Sequence, residues 1–210
     1  ACRAHEIKPL LGCETYVAAN GIKRKESKED RSGYHLILIA KNLTGYQNLL
    51  KLISIANLEG MYFKPRIDYD LLEKYHEGLI VSSACLGGDI QKKIQKKQMD
   101  EASERIEWFK NIFGDDFYLE IQRHKTDDPR MKADVYDQQV FVNEHMVALS
   151  KKHNVKLIAT NDVHFTNEED ADAHDLLICV NTGKYVSDEE RLRYTKQEWL
   201  KSQEEMSALF

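Results

Sequence analysis

Five short apolar runs, at residues 10–17, 35–40, 79–83, 117–121 and 155–160, constrain the fold most, because helix-like segments separate most of them. Runs of this length bounded by polar turns fit strands buried on both faces of a sheet. The intervening segments carry the helical period instead. Thr44 can cap a helix through about Leu58, whose Leu49, Leu50, Leu52, Ile53 and Ile55 or Ala56 give a broad apolar face. Asp100 can cap a second helix through Phe113, stopped by Gly114, with Ile106, Phe109 and Ile112 or Phe113 turned inward. A third is expected from about Ala133 to His153, carrying Val140, Val142, His145, Met146 and Leu149. This alternation predicts an α/β fold: a parallel sheet with crossover helices on both faces.

With 210 residues, 42% of them hydrophobic, the chain can bury the core of one large or two small domains. Its net charge of -5 excludes a protein that grips nucleic acid with its whole surface, so any such contact must be local or made by another part. Cys2, Cys13, Cys85 and Cys179 are scattered without a CxxC pair, which fits reduced thiols in a cytoplasmic protein. No apolar run approaches the roughly 18 residues of a membrane span, and no signal peptide is recognisable. Residues 1–6 read like the end of a helix whose beginning is absent, so an excised fragment is expected. Residues 19–33, polar and charged, read as a long mobile loop. Lys92, Lys93, Lys96 and Lys97 form a positive stripe at helical spacing, a solvated face or a nucleic-acid contact. Pro9, Pro65 and Pro129 are too few to mark a hinge, and Ser187 and Ser202 each begin a Ser-x-x-Glu capping box, so helices or turns should close the chain.

Asp162 and His164 carry the clearest chemistry. In the run 158–165 a strand's period of two places both side chains on one side of the sheet, where a carboxylate oxygen and an imidazole nitrogen can share a divalent cation such as Zn²⁺ or Mn²⁺. The same pair also fits an Asp that caps the next turn beside a His that is merely hydrogen-bonded. Glu14 and Cys85 likewise fall at or near strand ends, where α/β folds build their sites, although a surface carboxylate and a small buried thiol explain them singly.

Several collinear strings carry a resemblance: GCETYVA at 12–18, YHLILIAKN at 34–42, GYQNLLKL at 45–52, KPRID at 64–68, SACLGG at 83–88 and ATNDVH at 159–164, continuing through 170–175 and 182–184. Together they resemble the PHP (polymerase and histidinol phosphatase) domain at the amino terminus of bacterial replicative DNA polymerase III alpha subunits, over essentially all 210 residues. The resemblance implies a distorted (β/α)7 TIM-like barrel, here incomplete at its amino terminus, with residues 184–210 starting the connection to polymerase domains. It also implies a divalent metal cluster, with Zn or Mn as the candidate ions, whose ligands match Glu14, His35, Cys85, Asp162 and His164 in this chain. The family's earlier ligands would lie upstream of Ala1. His35 opens a strand, so the strand-end argument does not place it, and its role rests on the resemblance alone. His124 and His174 match family strings outside the ligand pattern and read as packing or loop-ordering residues.

The implied activity of the parent is DNA-directed DNA polymerisation together with metal-dependent 3′-to-5′ exonuclease proofreading, with no catalytic residue beyond the metal ligands and the fragment itself inactive. The alternatives are a non-catalytic scaffold that stabilises the polymerase and docks a separate proofreading exonuclease, and a stand-alone PHP phosphatase. The implied partners are DNA through the parent polymerase and other replisome subunits, with no membrane.

Overall fold

Residues 18–33 contain no helix able to cross a sheet, and this connection sets the topology. The two strands it joins, β1 (Gly12–Val17) and β2 (Tyr34–Ala40), pair antiparallel, with Glu14 opposite Ile37 and Tyr16 opposite His35. The computed structural model describes residues 2–128 and 134–210. Four further strands, β3 (Arg66–Ile67), β4 (Leu79–Ser82), β5 (Phe117–Ile121) and β6 (Lys156–Ala159), complete a sheet ordered β3-β1-β2-β4-β5-β6. β1 runs parallel to β3 and β4 to β5, whereas β2 is antiparallel to both β1 and β4. The sheet is therefore mixed and, among the described residues, open between β3 and β6, in place of the all-parallel sheet that the strand–helix alternation suggests. Short connections force antiparallel pairing, while parallel pairing needs a crossover.

Among the described residues seven helices accompany the strands: α1 (Leu43–Leu58), α2 (Tyr69–Lys74), α3 (Asp89–Gln95), α4 (Met99–Phe113), α5 (Asp134–His153), α6 (Ala171–Thr182) and α7 (Gln203–Ser207). The caps correct the sequence reading. Asn42, not Thr44, caps α1 by accepting from the Gly45 N–H at 2.9 Å. Asp100 lies inside the first turn of α4, one residue past its start at Met99. Gly114, at φ +55°, ends α4 as expected. The Ser202–Glu205 capping box forms, but the chain at Ser187 turns without entering a helix. Residues 2–5 form a short 3-10 helix. The expected start of the third helix at Ala133, and Pro129, lie outside the described residues.

The chain divides into two compact units, residues 1–119 with 149–157, and residues 120–148 with 158–210. In the first, Leu38, Leu52, Ile67, Leu72, Val81, Ile94, Ile106, Phe109 and Phe117 are almost fully buried, with the Phe109 and Phe117 rings stacked at 4.9 Å. Leu10 and Leu11 stay 67% and 54% exposed, which is why β1 begins only at Gly12. The loop at 19–33 is anchored rather than free. Arg66 is wholly buried and donates to the carbonyls of Gly60, Ile22, Arg24 and Asp30, the last at 2.6 Å. The buried Asp30 carboxylate accepts from the backbone N–H groups of Ser27 and Glu26, which hold its pKa down to about 2.

In the second unit Val142, Met146, Ile178 and Cys179 are buried together with an unusual number of polar side chains, among them Gln122, His124, Gln139, Asn143, Asn161, Thr195 and Glu198. No helix of the described residues is long and apolar enough to cross a membrane.

Candidate metal centre

The reversed direction of β2 explains why a residue at a strand's beginning joins residues near the ends of others. His35 is the diagonal cross-strand neighbour of Glu14, because Glu14 faces Ile37 and His35 lies two residues from it on the same face. Beyond the end of β4, Ala84 takes a left-handed backbone at φ +61°, which turns the chain so that Cys85 faces His35. The loop that follows is locked to β2 by the His35 N–H, which donates to the Gly87 carbonyl at 3.1 Å. Gly87 is needed here: a Cβ on it would lie 3.0 Å from Cγ of the His35 ring.

The result is a three-donor cluster. A Glu14 carboxylate oxygen lies 2.5 Å from His35 Nδ1, the Cys85 sulfur lies 3.4 Å from the same nitrogen, and the ligand atoms of all three fall within 4.8 Å of one another. Two donors bound tetrahedrally at about 2.0 and 2.3 Å from a zinc ion stand about 3.5 Å apart, so the Cys85–His35 spacing already suits a cation. The Glu14–His35 spacing is shorter because a proton bridges it. Hydrogen bonds to Cys85 and Glu14 outweigh partial burial and raise the His35 pKa to about 10. The side chains of Glu14 and His35 remain 39% and 30% exposed, leaving a route for a ligand from solvent. Tyr16 fixes the ring plane by an edge-on contact at 5.1 Å. Carboxylate, imidazole and thiol together form a donor set suited to a borderline divalent ion.

Asp162 and His164 belong to the second unit, and the strand alternation invoked for them does not exist. β6 ends at Ala159, and Asp162 adopts a left-handed backbone at φ +46°, which breaks any extended period of two. Their geometry is set by a loop. The His164 Nδ1–H donates to the Asp162 carbonyl at 2.6 Å, which leaves the lone pair of the ring on Nε2, the tautomer a metal-binding histidine uses. The His164 ring packs on Tyr194 at 4.5 Å and near His174 at 5.7 Å. Burial and the nearby His164 lower the pKa of His174.

Apart from His124, sequence reasoning missed the residues that shape this loop. Asn161 is buried and donates to the carbonyls of Gln197 and Trp199, both at 2.7 Å, while the carbonyl of Glu198 accepts from the His164 N–H at 2.7 Å. The Glu198 carboxylate is itself buried and accepts from the Thr195 hydroxyl and N–H. His124 stays neutral through burial, its Nδ1 accepting from Gln139 and its Nε2–H donating to the Asn161 carbonyl. His124 matched a family string and was read as a packing or loop-ordering residue; for the others only the position of Asn161 beside Asp162 gave a signal.

Comparison with known proteins places these observations in a family context. A family model described as the PHP domain matches residues 1–124. The chain is 48% identical over 206 residues to the DNA polymerase III subunit alpha of Borreliella burgdorferi, covering 97% of this chain and 17% of the relative. It is 40% identical over 219 residues to the protein of that name from Campylobacter jejuni (99% and 17%), and 41% identical over 206 residues to that of Thermus aquaticus (97% and 16%). The chain thus spans about one-sixth of the length of these relatives.

Proposed function

Since the chain belongs to the PHP domain family, we propose that its 210 residues are the PHP region of a bacterial replicative DNA polymerase of the alpha-subunit type, with residues 184–210 leading toward the polymerase domains. We further propose that this region hydrolyses phosphodiesters with bound divalent cations, as a 3′-to-5′ exonuclease that removes misincorporated nucleotides. The observation that carries this reading is the meeting of Glu14, His35 and Cys85 from three separate segments of chain. Bound cations of the zinc or manganese type would polarise phosphoryl oxygens and make hydroxide available near neutral pH. Glu14 would supply a hard oxygen, His35 its Nδ1 after loss of the bridging proton, and Cys85 a thiolate that favours softer ions. Asp162 and His164 are proposed as further ligands on the strength of their motif and of the His164 tautomer. The chain's own polymerase activity is expected to be nil, and its partners to be DNA and other replisome subunits in the cytoplasm.

A second reading, a non-catalytic scaffold that docks a separate proofreading exonuclease, is favoured by one observation: the Glu14, His35 and Cys85 groups satisfy one another through a shared proton. Metal analysis decides between the two. The hydrolytic reading expects the purified chain to bind Zn²⁺ or Mn²⁺, Glu14→Gln and Cys85→Ser to weaken binding by about tenfold or more, and Asp162→Ala to lower both metal content and exonuclease activity of the polymerase that carries it. A chain that binds no metal, with silent substitutions in the exonuclease assay, establishes the scaffold.

A further inference from the structure

A concave cleft of about 220 Å³ opens beside the three-donor cluster and meets it at Gly87, which lines the cleft, donates its N–H to the Cys85 sulfur at 3.4 Å and lies against the His35 ring. Its outer wall is α3 and the residue that caps it: Lys92 on the helix and Lys96 at its C-cap, four residues on, both line the cleft. The lysines of this helix are not equivalent. Lys93 is consumed internally, bonded to the buried Asp89 and lying over the Tyr34 ring at 5.2 Å. Lys92 has only the Gln95 side-chain oxygen, at 3.4 Å, and Lys96, exposed at the mouth, has no ion-pair partner among the described residues. Glu29 on the far wall sets one carboxylate against two ammonium groups, so the cleft is positive in a chain whose net charge is -5.

We propose that Lys92 and Lys96 form a phosphate subsite that holds the backbone of a single-stranded nucleic acid next to the ester presented at Glu14, His35 and Cys85. The inference rests on the hydrolytic reading above and sharpens it. A phosphomonoesterase for small metabolites needs no second phosphate site, whereas an enzyme that grips a strand while cutting its end does. Lysines carry this role as point charges without base readout, which suits an activity indifferent to sequence.

The test measures binding of a fluorescent thymidylate oligonucleotide to the 210-residue chain across a salt series, with metal content determined separately on each sample. The proposal expects K92Q/K96Q to bind about tenfold more weakly, with a log–log salt slope shallower by about 1.4, the value for two phosphate contacts on a single strand. A K51Q/K74Q control, which removes the same charge from α1 and α2, is expected to leave the slope unchanged. K96Q alone alters only an exposed side chain, and its intermediate slope keeps the test valid if the double variant misfolds. Equal losses in both double variants, an unchanged slope in K92Q/K96Q and K96Q, or an oligonucleotide held no more tightly than inorganic phosphate each overturn the proposal. Those outcomes with metal bound leave the hydrolytic reading standing. A metal-free chain that still shows the lysine-dependent slope keeps the subsite and removes the reading on which its purpose depends.

Discussion

The two units of this chain solve the same problem, a buried interior, with opposite materials. The first fills its centre with Leu52, Ile106, Phe109 and Phe117, and only Gln91 among its buried side chains leaves a polar atom without a hydrogen-bond partner among the described residues. The second buries a hydrogen-bonded web of Gln122, His124, Gln139, Asn143, Asn161 and Glu198, and leaves Arg123, Asn161, Glu198 and Trp199 each with an unsatisfied buried atom. Apolar packing is non-directional and tolerates local error, whereas a polar web depends on every partner being present. The difference teaches where each unit is strong. The first holds Glu14 and His35 on strands of a sheet with Cys85 on the turn just beyond β4, and the second holds Asp162 and His164 on a loop fixed by amide and carboxylate hydrogen bonds.

The largest expected effect comes from emptying the apolar core. Phe109 stacks on Phe117 and contacts Tyr69, Trp108 and Phe113 edge-on or tilted, so Phe109→Ala should destabilise the chain by about 3–5 kcal/mol in denaturant unfolding. A cost below about 1 kcal/mol would show that the first unit is not organised around this ring. Next in size is Arg66→Met. It leaves the carbonyls of Ile22, Arg24, Asp30 and Gly60 without their donor, at about 3 kcal/mol, and should release the 19–33 loop to rapid hydrogen exchange. Unchanged protection at Ile22 and Glu26 would show that the loop is held instead by Asp68 and Asp30, whose carboxylates accept from these two N–H groups.

These two substitutions also mark what the sequence reveals. Phe109 was legible because a helix with an apolar face must turn that face inward, and the strands were found within one or two residues from their apolar runs. Arg66 was not legible, since a charge reads as surface until the fold aims four carbonyls at it, and the two-residue strand it opens is too short to show a period. His35 was assigned by resemblance because run composition does not give strand direction. The 16-residue link ahead of it, with no helix long enough to cross the sheet, held that information, and it follows from chain connectivity rather than from the residues of the strand. Much of the polar interior of the second unit was missed for the reason Arg66 was: Asn161 is held by carbonyls 36 and 38 residues away in the chain, which no local pattern reports.

A smaller effect sharpens the comparison inside the second unit. Asn161→Ala removes two donors to the 195–200 segment and should cost about 1–2 kcal/mol, less than Phe109→Ala because water can replace part of the lost bonding. Its signature is local: the Asp162 and His164 amides should exchange faster while those of β1 and β4 keep their protection. Uniform loss of protection over the whole chain would mean that the loop is not an independently held element.

The smallest effect in energy is the most specific to the donor cluster. With no cation bound, hydrogen bonds to Cys85 and Glu14 raise the His35 pKa to about 10. A histidine with a raised folded pKa contributes stability that is fully present below its unfolded pKa, about 6.5, and lost as pH rises through the folded value. The metal-free chain should therefore lose a little stability between about pH 6.5 and 10, and the His35 ring should titrate late in an NMR series. Adding Zn²⁺ at pH 7 should displace the His35 proton and abolish the late titration, because ring nitrogen, carboxylate and thiolate bind metal only when deprotonated. In Glu14→Gln the His35 titration should move down without Phe109 or its neighbours responding. A His35 that titrates normally in the metal-free chain would mean that the three donors do not meet in solution, and the first unit would then be an apolar core with no centre built on its rim.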